Sequence, residues 1–129
     1  MLSKAGFATL VPVKDMNRAI KFYTKVLGGK VTMRMTGEMK DYFATMKISK
    51  EEFWLVKGAK KSEVAYSTFL VKDIKSTVDG LKSQGAKFLR AEKESSTTRI
   101  DGPINYHTFG AEAFFKDSEG NLLMLWQDV

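Results

Sequence analysis

Apolar and polar positions along the chain fall into two successions of the same kind. "FATLVPVKDM" (7–16) and "AYSTFLVKDI" (65–74) are each a strand-like run closing on Val-Lys-Asp and an apolar residue. A helical pattern follows each. Met16, Ala19, Ile20, Tyr23, Val26 and Leu27 recur at spacings of three and four, and so do Ile74, Thr77, Val78 and Leu81. Asp15 and Asp73 precede these patterns as N-caps, because a short carboxylate accepts hydrogen bonds from the free amides of a first turn. Gly28 and Gly85 stand where a left-handed cap would end each helix. Three strands are then expected in each half: about 30–36, 41–48 and 52–57, then 87–93, 105–116 and 121–127. Asp117, Ser118 and Gly120 supply the turn before the last strand.

The pattern predicts an α+β fold of two βαβββ modules, about 5–58 and 63–128, joined by the small, charged link "GAKKSE". Neither half buries enough surface comfortably alone, so both are expected to form a single domain. Three successive strands after each helix argue against a doubly wound sheet, which places a helix between parallel strands. No glycine-rich phosphate loop follows either first strand.

Composition narrows the function. The 129 residues are 43% apolar and 28% charged, as in a soluble globular protein, without an apolar run of membrane-spanning length. No signal peptide is expected, and a cytoplasmic location is the default. The absence of cysteine excludes disulfides, thiolate metal sites and a cysteine nucleophile. The net charge of +6 comes from scattered lysines rather than a basic helix, so neither nucleic acid nor membrane is the expected partner.

"VPVKDMNRAIKFYTKVLGGKV" resembles the opening module of the vicinal oxygen chelate superfamily, which includes glyoxalase I, ring-cleaving dioxygenases and bleomycin resistance proteins. "FFKDSEGNLLML" resembles its closing signature, with Ser118 and Glu119 in place of the usual Pro and Asp. The resemblance implies a cupped, eight-stranded mixed sheet with helices outside, a homodimer, and a site within the cup. It also implies metal-ligand positions at Ala8, Trp54, Tyr66 and Met124, where metal-dependent members carry His, Gln or Glu. Ala8, Trp54 and Met124 have no hard oxygen or imidazole to offer, and a phenol is a rare ligand here. No metal and no other cofactor is therefore expected.

Strand alternation offers a different use for these positions. Leu10, Trp54, Tyr66, Leu122, Met124 and Trp126 would line the cup as an apolar, aromatic wall suited to a small, planar organic ligand. The same residues would equally serve as ordinary core filling. His107, the only histidine, is expected on a strand and is the candidate general acid or base, although a lone histidine is more often structural. Arg34, Arg90 and Arg99 are candidate counter-ions for an acidic ligand. The polar stretch 92–105 is expected to be a mobile surface loop or a lid. The expected function is metal-independent binding of a small molecule, as in sequestering resistance proteins. The alternatives are a lyase, isomerase or dioxygenase of the same superfamily, using non-standard ligands or His107 with Tyr66, and a structural dimer with a vestigial cup.

Overall fold

A computed structural model describes residues 3–5, 8–59, 67–92 and 96–128. The chain divides into two compact units, 1–61 and 62–129. The first runs β1 (Thr9–Val13), α1 (Met16–Lys25), β2 (Lys30–Arg34), β3 (Phe43–Ile48) and β4 (Glu51–Lys57). Its sheet has the order β1-β4-β3-β2, with β1 parallel to β4 and the other pairs antiparallel. Alternation decides what each strand buries. Val11 and Val13, Ala44 and Met46, and Phe53 and Leu55 form a core with Met16, Ala19 and Tyr23 of α1. Each large apolar side chain so buried is worth roughly 1.5–3 kcal/mol of transfer free energy.

The second unit repeats the plan with one addition. It runs β5 (Ser67–Leu70), α2 (Ile74–Ser83), β6 (Arg99–Asp101), β7 (Ile104–Tyr106), β8 (Gly110–Lys116) and β9 (Leu122–Asp128). The strand order is β5-β9-β8-β7-β6, with only β5 and β9 parallel. Ile74 and Val78 of α2 are buried, as are Ala111, Ala113, Phe115, Leu123 and Leu125. α2 packs against β8 and β9. The α+β class and the two modules are as expected, but the described strands number nine, in sheets of four and five.

The helix boundaries have the expected chemistry. Asp15 accepts a hydrogen bond from the Arg18 amide and Asp73 from the Ser76 amide, each at 3.1 Å. Gly28 and Gly85 adopt φ of +76° and +101°, the left-handed region glycine enters without steric cost. The turn between β8 and β9 is built on Asp117, which is buried. Its Oδ1 accepts from the Glu119 and Asn121 amides, and its Oδ2 from Asn121 Nδ2, all at 2.8 Å.

Three expectations for the second unit are corrected. Of the expected strand 87–93, the described residues 87–92 form none; Phe88 makes a single bridge to Phe115, and the Leu89 amide donates to the Phe114 carbonyl at 2.8 Å. The same edge of β8 is taken at Ala111 and Glu112 by β7, which leaves little of it for this segment. Residues 105–116 are two strands rather than one, because the chain reverses at His107–Gly110, where the His107 amide donates to the Gly110 carbonyl at 2.8 Å. Stretch 92–105 is not one open loop: β6 and β7 pair as a hairpin, with Asp101 opposite Ile104 across Gly102-Pro103. Residues 99–101 and 104–105 are therefore strand where loop was expected.

Replacing either N-cap, Asp15→Ala or Asp73→Ala, is expected to lower stability by about 1 kcal/mol. Asp117→Ala should cost more, about 2–3 kcal/mol, since it strands buried backbone amides as well as removing a charged acceptor. Urea denaturation checks the ranking, and an Asp117 loss no larger than the cap losses would contradict this account of the turn.

Candidate functional site

Burying one face of each sheet beneath its helix turns the alternate residues to the other face. In the first unit these include Leu10 and Trp54, directly paired across β1 and β4 and respectively 50% and 39% exposed. The Phe43 ring meets the Trp54 indole edge-on at 5.6 Å, and Trp54 Nε1 donates to Glu52 Oε1 at 3.3 Å. Leu10 and Trp54 are thus brought together as an apolar pair on the open face. Arg34 is engaged by the side-chain oxygen of Asn17.

In the second unit, Leu122, Met124 and Trp126 alternate with buried Leu123 and Leu125 and are half-buried. Met124 sits between Phe114 of β8 and Thr68 of β5. Trp126 sits between Glu112 and Leu70. The row continues from Glu112 to Asn105 of β7 and Ile100 of β6. Tyr66 lies outside the described residues. The structure therefore groups the expected residues sheet by sheet: Leu10 with Trp54 on one, Leu122 with Met124 and Trp126 on the other.

His107 is at the hairpin turn rather than on a strand, and its side chain is 10% exposed. Its Nε2 lies 3.0 Å from Glu112 Oε1, and its Nδ1 lies 3.2 Å from Thr98 Oγ1. The Phe109 ring stacks on the imidazole at 5.6 Å with planes 14° apart, and its other neighbour is the Trp126 indole at 5.7 Å. His107, Phe109 and Trp126 thus form one aromatic run beside Glu112. Sequence reasoning missed this cluster, although the five-residue spacing of His107 and Glu112 was available once Gly110 is read as the end of a turn.

Gly110 is what gives the Trp126 indole room. A Cβ there would stand 2.3 Å from Trp126 Cζ2 and 2.8 Å from the Gln127 carbonyl oxygen. Trp126 Nε1 donates to Asp128 Oδ1 at 2.7 Å, which fixes the ring from its other edge. Arg99 lies over the Tyr106 ring, 4.1 Å from its centroid, a cation–π contact. Arg90 is exposed.

The ligand positions implied by the fold do not fit a divalent ion. Ala8, Trp54 and Met124 provide no hard donor, and among the described residues no three His, Cys, Asp or Glu side chains are grouped to hold one. No described helix is long and apolar enough to cross a membrane.

Comparison with known proteins agrees with this architecture. The model of the Glyoxalase/Bleomycin resistance protein/Dioxygenase superfamily matches residues 7–125, and the chain belongs to that family. Among solved structures, UcmS2 is 24% identical with a TM-score of 0.70, covering 92% of this chain and 94% of its own. TnmS3, an antibiotic binding protein from Streptomyces sp. CB03234, is 19% identical with a TM-score of 0.64, covering 98% of each chain. The fosfomycin resistance protein FosX from Listeria monocytogenes is 15% identical with a TM-score of 0.71, covering 97% of this chain and 92% of its own. At these identities the likeness is one of fold. No curated protein sequence matches the chain.

Gly110→Ala is expected to expel the Trp126 ring from its seat and cost about 1–3 kcal/mol, as overpacking does. Denaturation and the tryptophan emission spectrum read the two effects together. An alanine variant of unchanged stability and spectrum would contradict the close approach.

Proposed function

We propose that this protein binds a small, planar organic molecule without a metal ion, using the open, aromatic face of its second sheet. The observation that carries the reading is Met124. It occupies the last-strand position where a metal-dependent relative needs a carboxylate, and Trp126 and Leu122 extend the same face on either side. An indole, a thioether and the Phe109 ring together present the apolar, polarisable surface that stacks on aromatic ligands. Leu10 and Trp54 give the first sheet a surface of the same character. The fold shared with an antibiotic binding protein supports sequestration as the role. The net charge of +6 favours a neutral or acidic ligand. A cytoplasmic homodimer is the proposed working form.

The enzymatic alternative, a lyase, isomerase or dioxygenase, draws on His107. Both ring nitrogens are engaged, one by Thr98 and one by Glu112, so a proton transfer to substrate would have to break one of these contacts. The arrangement suits a histidine that ties the hairpin to β8.

Elemental analysis combined with a thermal-shift screen of aromatic and acidic metabolites tests the proposal. The protein should carry far less than one equivalent of transition metal. A ligand at a hundred times its Kd should stabilise chelator-treated protein by about 2.7 kcal/mol. Stoichiometric, tightly bound metal, or stabilisation that requires added metal, would overturn it.

A further inference from the structure

Asn105 is 5% exposed, and its Oδ1 is sealed from solvent with no hydrogen-bond donor among the described residues. Native proteins seldom keep a buried acceptor unpaired, and a ligand group is one established reason for doing so. The register places Asn105 opposite Glu112, and Glu112 opposite Trp126, so the three side chains share one row of the open face. Among the described residues, Glu112 is engaged through one oxygen, by His107. The Asn105 and Glu112 side chains therefore occupy opposed positions in the register, next to the indole proposed to stack on the ligand. The hairpin tip beside them carries Phe109, which is 67% exposed and packs on both His107 and Trp126. Rearrangement of that exposed ring is the natural route by which a ligand's edge would reach the row.

We infer that Asn105, seconded by Glu112, is a specificity subsite that reads a hydrogen-bond donor, a hydroxyl or N–H group, on the edge of an aromatic ligand stacked against Trp126. The inference rests on the proposed binding function and deepens it. Ring stacking supplies affinity that tolerates many planar ligands, whereas a sealed acceptor rejects any ligand that leaves it unpaired. Asn105 thus converts a general aromatic surface into a selective one. The polar end of this row is acceptor-rich, so an acidic group on the ligand is directed away from it.

A matched pair of probes tests this: 6-hydroxy-2-naphthoic acid and 6-methoxy-2-naphthoic acid, which differ in one donor. Calorimetric titration of the full chain should give about ten-fold or more tighter binding of the hydroxy acid. N105L should erase that preference while still binding the methoxy acid, and N105D, which keeps an acceptor oxygen, should retain it. Equal affinities for the native protein, or a preference that survives in N105L, would overturn the subsite alone. If N105L does not fold, N105A, which is smaller and equally lacks the acceptor, takes its place: loss of the preference supports the subsite and its survival overturns it. Binding of neither acid would overturn the subsite together with the aromatic-ligand reading beneath it.

Discussion

Burial of Leu123 and Leu125 is the constraint on which the site depends. A strand shows alternate residues to opposite faces, so committing these two leucines to the helix side commits Leu122, Met124 and Trp126 to the other. A slip of one residue would exchange the sets and bury an indole and a thioether where the aliphatic core now sits. The parallel β5–β9 and antiparallel β8–β9 ladders hold that register from both sides. The buried Asp117 turn sets it at the start of β9 by holding the amides of Glu119 and Asn121. Structure and site share one cause here: the same alternation that fills the core presents the aromatic face.

What could be read from the sequence follows from how local each signal is. The aspartate caps, the left-handed glycines and the alternation in β4 and β9 are short-range consequences of residue type, and they stand as expected. The pairing of Leu10 with Trp54 agrees with the internal repeat. The hairpin of β6 and β7 was hidden because Glu, Ser and Thr dominate 92–98, and the three-residue strands carry almost no periodicity. The turn at His107–Gly110 was hidden for the opposite reason: Tyr106 and Phe109 are strand formers, so a reversal looked like a continuous strand. The close approach of Trp126 to Gly110 and the unpaired Asn105 oxygen depend on cross-strand neighbours and have no local signature.

The second sheet also separates the fold from the chemistry often carried on it. Family membership fixes the strand positions; what those positions do depends on the atoms placed there. Ala8, Trp54 and Met124 replace hard donors with a methyl group, an indole and a thioether. These groups favour dispersion and stacking over coordination. Around them the polar groups are largely engaged with one another, as Trp126 with Asp128 and His107 with Glu112 and Thr98. The Trp126 indole is held in a fixed orientation, which would reduce the ordering cost of the proposed binding.

The most direct test of the central claim is methyl NMR of the methionines in chelator-treated protein, titrated with an aromatic compound that raises its melting temperature. Ring-current shifts are expected at the Met124 methyl, with Met16 and Met46, both buried in the first unit's core, left in place. Shifts that appear only after a divalent metal is added, or that bypass Met124, would contradict the claim.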